Sequence, residues 1–130
     1  MADNAGPILV VDHDDGCRVL TSAILEGAGY RTSEADTGES ALAAARSNAP
    51  RLALVDVYLP ELSGYEVCQR LKDEFDASFP IVLVSRSDRE AIDSVAAFLL
   101  GVDDCVAKPI RPDELISRVR GLLARPSAAA

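Results

Sequence analysis

The chain has 130 residues, enough for one domain with a buried core, and an apolar fraction of 48% supports a globular fold. Thirteen basic against twenty-one acidic residues give a net charge of −8, and with no Lys/Arg run or aromatic-basic interleaving this argues against direct nucleic-acid binding. No apolar run approaches the ~20 residues of a membrane helix, and MADNAGP lacks the basic and apolar regions of a signal peptide, so the chain reads as cytoplasmic.

Ile8 to Val11 is a short apolar run that ends in acid, Asp12, His13, Asp14 and Asp15. It reads as a strand buried on both faces with carboxylates at its end. Asp14 or Asp15 caps a helix carrying Cys17, Leu20 and Ile24, which Gly27 and Gly29 close. Arg31 to Glu34 is a more polar strand suited to a sheet edge, and Thr37 with Ser40 to Arg46 makes an Ala-rich helix. Leu52 to Val55 repeats the first pattern and stops at Asp56. Pro60, Ser63 and Gly64 then mark a loop before a helix reaching about Phe75. Pro80 introduces a third buried run, Ile81 to Val84, ending in Ser85. Asp88 caps a further helix reaching Gly101, a short strand from Cys105 to Ala107 ends at Lys108, and Pro112 opens an amphipathic last helix. Cys17, Cys68 and Cys105 share no metal-ligand spacing and read as small buried hydrophobes.

Strands alternating with helices imply a parallel sheet covered on both faces. Right-handed crossovers place every strand's carboxyl end on one edge, where Asp12, Asp56, Ser85 and Lys108 converge. Two carboxylates, a hydroxyl and an amine suit a divalent cation and a phosphoryl group, with Asp56 a candidate nucleophile. No Gly-rich phosphate loop suggests a nucleotide.

The pieces ILVVD ending in Asp12, DVYLPELSG with Asp56, VLVS ending in Ser85, and GVDDCVAKP with Lys108 and Pro109 resemble a response-regulator receiver domain of two-component signalling. The resemblance implies an α/β, flavodoxin-like (βα)5 doubly wound parallel sheet of strand order 2-1-3-4-5. The receiver domain would span 7–124, with 1–6 an N-terminal tail and 125–130 a tail or linker stub. It further implies Asp56 as phosphoacceptor from a sensor histidine kinase, with Mg²⁺ held by Asp12, Asp56 and the Tyr58 backbone carbonyl. Lys108 would grip the phosphoryl group, Ser85 would move to bond it, and the Lys108–Pro109 bond would be cis.

Three positions depart from the family pattern. His13 stands where a second metal-binding acid is usual, so Mg²⁺ binding is expected to be weakened, to rely on Asp14, or to favour Mn²⁺. Cys105 replaces a switch aromatic, and Arg86 replaces a small residue beside Ser85, where it would gate access to the site. The apolar run Val95 to Leu100 marks an output surface formed by its helix, the strand after it and the last helix, with Leu99 the candidate contact. The implied partners are the kinase, an output domain or partner protein, and a second copy in a homodimer. Two alternatives remain: a receiver-like binding module not regulated by phosphorylation, and a haloacid-dehalogenase-like phosphatase, which ILVVDHDDG also resembles, with Asp12 as nucleophile and Asp14 as acid/base.

Overall fold

The computed structural model describes residues 6–86 and 101–125. Five strands, β1 (Ile8–Val11), β2 (Thr32–Ala35), β3 (Leu52–Asp56), β4 (Ile81–Ser85) and β5 (Asp104–Ala107), pair in parallel in the order β2-β1-β3-β4-β5. The described helices are α1 (Asp15–Gly27), α2 (Gly38–Ser47), α3 (Gly64–Phe75) and α4 (Pro112–Leu123). This is the flavodoxin-like order that the resemblance implies. The helix expected from Asp88 to Gly101, with the apolar run Val95 to Leu100 and Leu99, lies outside the described residues.

Alternation along the strands builds two cores. Leu9, Val11, Ala53, Val55, Ile81 and Leu83 face α2 and α3, where they meet Ala41, Leu42, Val67 and Leu71. Ile8, Val10, Leu52, Leu54, Val82 and Val84 face α1 and α4, where they meet Leu25, Leu115 and Val119. The central strands are apolar on both faces because both are covered. Among the described residues, no helix is long and apolar enough to cross a membrane.

Each helix start follows from local chemistry. Asp14 Oδ1 accepts the Cys17 N–H at 3.1 Å, capping α1, and the Ser63 hydroxyl accepts the Glu66 N–H at 3.3 Å, capping α3. α4 opens instead on Pro112, with Asp113 and Glu114 in its first turn favoured by the helix dipole. Thr37 and Ser40 form a reciprocal capping box on α2, Thr37 Oγ1 accepting the Ser40 N–H at 3.0 Å and Ser40 Oγ the Thr37 N–H at 3.1 Å. Thr37→Ala removes one half of that exchange and is expected to lower stability by about 1 kcal/mol, read as a drop in the urea unfolding midpoint.

Candidate functional site

The carboxyl ends of β1, β3, β4 and β5 carry Asp12, Asp56, Ser85 and Lys108 to one rim, as the crossovers require. Backbone bonds extend the sheet past its strands to fix them: Asp12 N–H donates to Ala35 at 3.0 Å, Val57 N–H to Val84 at 3.0 Å, and Lys108 N–H to the Ser85 carbonyl at 2.8 Å. The Lys108–Pro109 peptide bond is cis. Asp12 and Asp56 are 5% and 4% exposed, and Lys108 Nζ lies between them, 3.0 Å from Asp12 Oδ2 and 2.7 Å from Asp56 Oδ2. The other oxygen of each acid accepts a backbone N–H two residues on, Asp14 to Asp12 Oδ1 and Tyr58 to Asp56 Oδ1, both at 2.9 Å.

These contacts set the charges. Burial alone would raise Asp12, but the Asp14 N–H and the Lys108 ammonium outweigh it and its pKa is lowered. In Asp56 burial wins over Lys108 and the Tyr58 N–H, helped by the nearby charge of Asp12, and its pKa is raised. For Lys108 burial favours the neutral amine, yet hydrogen bonds to Asp56 and Asp12 prevail and its pKa is raised. Two carboxylates against one ammonium leave the rim one negative charge in excess. Hard carboxylate oxygens in a negatively charged pocket fit a hard divalent cation, and Mg²⁺ binds through one or two carboxylates while keeping several waters.

His13, at the position of the family's second metal-binding acid, and Asp14, its expected stand-in, are both engaged elsewhere. His13 is exposed, with Nδ1 3.1 Å from the Asp36 carbonyl, and the Asp14 carboxylate caps α1. Among the described residues no group of three or more His, Cys, Asp or Glu is assembled to hold a metal. The same engagement leaves Asp14 turned to its helix instead of serving as acid/base beside Asp12. Ser85 is 8% exposed at the end of β4. Arg86, next to it, stacks its guanidinium on the Tyr58 ring, 4.4 Å from the centroid.

The cysteines are not uniformly buried. Cys68 is fully enclosed, its thiol pushed up to about 12 by burial, whereas Cys17 and Cys105 are half-buried. Cys105 packs on the core beside α3, its backbone N–H donating to Asp104 Oδ1 at 2.8 Å. Burial, and after it the neighbouring Asp12 carboxylate, raise the pKa of the Cys17 thiol. Sequence reasoning passed over this proximity and also Arg18, whose Nη1 donates to the Asp12 carbonyl at 2.9 Å while Nε pairs with Glu34 at 3.0 Å and Nη2 with Asp15 at 2.8 Å. Arg18 thereby ties the end of β1 to β2 and to the start of α1. Its signal was a lone cation one helical turn beyond an acidic loop.

Residues 8–120 match the response regulator receiver domain family. The alkaline phosphatase synthesis transcriptional regulatory protein PhoP of Bacillus subtilis (strain 168) is 40% identical over 123 residues, covering 95% of this chain and 50% of that protein. The DNA-binding response regulator MtrA of Mycolicibacterium smegmatis is 38% identical over 118 residues, covering 91% of this chain and 50% of that protein. The chain spans about half the length of the curated relatives it matches. Among solved structures, the receiver domain of NtrX from Brucella abortus superimposes with a TM-score of 0.86 at 32% identity, covering 92% of this chain and 99% of that one. A CheY-like receiver domain protein from Methanospirillum hungatei JF-1 gives 0.83 at 28% identity, covering 91% and 93%. The chain belongs to the response regulator receiver domain family of two-component signalling, whose members are signalling switches and not enzymes.

Proposed function

We propose that this domain is a phosphoacceptor switch, phosphorylated on Asp56 from the phosphohistidine of a sensor histidine kinase with divalent-metal assistance. The observation that carries the reading is Lys108 Nζ bridging the buried Asp12 and Asp56 carboxylates at 3.0 and 2.7 Å. Lys108 favours the anionic form of Asp56, which is the nucleophile. A carboxylate oxygen of Asp56 forms a bond to phosphorus as the donor's P–N bond breaks, and the imidazole leaves with the electron pair and takes up a proton. Asp12, Asp56 and the Tyr58 carbonyl would hold Mg²⁺, which when bound offsets the repulsion between carboxylate and phosphoryl group. With His13 and Asp14 engaged elsewhere, two carboxylates carry that site, and binding is correspondingly weak, with Mn²⁺ a competent substitute.

The transfer replaces the Asp56 charge with a phosphoryl group of about −1.5 to −2. Lys108 is then drawn to the phosphoryl oxygens, and the Ser85 hydroxyl at the end of β4 is placed to donate to them. Ser85 ends β4, which pairs with β5, and Lys108 lies between β5 and α4, so their movement alters that surface and biases a two-state equilibrium. The output proposed is a homodimer, a partner protein or a DNA-binding domain of the kind named in the MtrA relative, in a cytoplasmic protein.

The reading is tested by intact mass after incubation with acetyl phosphate or phosphoramidate and Mg²⁺, with Mn²⁺ in parallel. One added phosphoryl mass is expected on the wild type and none on Asp56→Asn, with Asp12→Asn labelled far more slowly. A label that persists in Asp56→Asn overturns the assignment of the acceptor. No label under either metal in folded protein would favour a receiver-like binding module instead.

A further inference from the structure

We infer that the flank of α4 facing away from β5 docks a second copy of this chain, whose own α4 packs antiparallel across it so that Asp113 of each copy pairs with Arg120 of the other. The contact needs no phosphoryl group and goes beyond the proposed function. Its basis is a contrast between the two flanks of one helix. On the β5 flank the charges are used within the chain: Arg118 Nη1 donates to both Asp104 oxygens at 2.8 Å, its Nη2 lies 3.4 Å from Glu114, and Arg125 just past the helix pairs with Asp103 at 2.9 Å. On the α1 flank lies an open groove lined by Ala28, Asp113, Ile116, Ser117, Arg120 and Gly121. Asp113 and Arg120 are exposed there, and neither has an ion-pair partner among the described residues.

Their spacing supplies the second argument. Asp113 and Arg120 are one heptad apart, so they lie within about 20° of one line along the helix and about 10 Å from each other. In a twofold contact positions are exchanged, the first of one copy meeting the second of the other and the reverse. For antiparallel helices, an axis passing between Ile116 and Ser117 sets 113 opposite 120 at both ends. The flank is therefore complementary in charge to a copy of itself, a pattern that an unrelated partner does not require.

Shape agrees with charge. Ser117 and Gly121 carry little bulk, and a Cβ on Gly121 would meet nothing within 4 Å, so a second helix can approach closely. α1 packs beside α4 and leaves Val19 and Leu20 57% and 55% exposed, apolar area that adds to the helix pair. Each copy carries a net charge of −8. At 0.15 M salt a Debye length of about 8 Å screens that general repulsion more than it weakens ion pairs in contact.

The test is sedimentation velocity of the unphosphorylated protein at 0.15 M salt, from about 5 to 500 μM, across which the wild type should pass from monomer to dimer as expected for an interface at the small end of specific contacts. Asp113→Arg and Arg120→Asp each set like charges opposite one another at both ends, and each should weaken self-association roughly tenfold. Mixing the two single variants restores opposite charges at both ends, so the mixture should dimerise at least as well as wild type, and the double variant Asp113→Arg with Arg120→Asp should recover self-association. Recovery on mixing also shows that neither variant was misfolded. A wild type that stays monomeric throughout overturns the inference, as does a dimer that both single variants leave intact. Loss in the single variants without recovery in the mixture overturns the antiparallel pairing. None of these outcomes bears on Asp56 as acceptor, which the labelling experiment decides separately.

Discussion

Lys108→Met should cost about 2–4 kcal/mol at pH 7 in metal-free buffer, and the cost should shrink as the pH is lowered. The estimate sits below the full penalty for breaking a buried pair because the Lys108 side chain is 20% exposed. Methionine retains the apolar stem, so the loss isolates the ammonium. In the wild type the raised pKa of Lys108 contributes stability that is complete below the ordinary lysine value and is lost only as pH climbs through its folded value. The lowered pKa of Asp12 contributes stability above the ordinary carboxylate value, lost as pH falls through its folded one, and the raised pKa of Asp56 acts in the opposite sense. Removing the ammonium leaves two buried carboxylates facing each other, so both are raised. The folded state then binds more protons than the unfolded state, and stability rises as pH falls through the folded values. Urea midpoints at pH 7 and pH 5 in EDTA check this. A gap between variant and wild type that stays constant would assign the loss to packing, not to charge.

That electrostatic arrangement was only half visible in the sequence. A buried apolar run that ends in Asp12, Asp56 or Ser85 declares a strand's carboxyl end, and the handedness of crossovers then gathers those ends without any knowledge of side-chain positions. Lys108 at the end of β5 belongs to the same rule. What periodicity cannot give is the direction of individual side chains. The ammonium is equidistant in role between two acids 44 positions apart in the chain, a relation set by strand spacing across β1, β3 and β5. His13 illustrates the same limit. The resemblance sets it where a metal-binding acid is usual, with weakened Mg²⁺ binding expected, but only the structure shows the imidazole at the Asp36 carbonyl after β2. Cys17 and Cys105 read as core because apolar spacing does not distinguish a packed thiol from one at the edge of a pocket. Strand ends were legible because burial and hydrogen-bond topology dictate them locally, whereas contacts such as that of Arg18 with the Asp12 carbonyl depend on where the first turn of α1 meets the rim.

Gly64→Ala should be the most damaging single-methyl change in the described chain, lowering stability by roughly 3–5 kcal/mol. Gly64 begins α3, and its N–H donates to the Val57 carbonyl at 2.9 Å, so the helix starts in direct contact with the chain leaving β3. A Cβ here would strike the Asp56 carbonyl oxygen and come within 2.7 Å of Val57 Cα and 2.8 Å of the Asp56 carbonyl carbon. These are backbone atoms held by the sheet, and no rotamer change relieves them. Either α3 lifts from the sheet, exposing Val67 and Leu71, or the end of β3 shifts and carries Asp56 away from Lys108. Even a displacement of about 1 Å at a reacting group can cost a hundredfold in rate, so labelling by phosphoramidate should slow by roughly tenfold or more in whatever protein folds. Gly121→Ala supplies the contrast, since a Cβ there meets nothing within 4 Å inside α4, and the better helix former should raise stability by about 1 kcal/mol. Unfolding curves of the two variants side by side separate backbone collision from helix propensity. Should Gly64→Ala unfold at the wild-type midpoint and label at the wild-type rate, the contact between the start of α3 and the Asp56 backbone would not be what holds the acceptor in place.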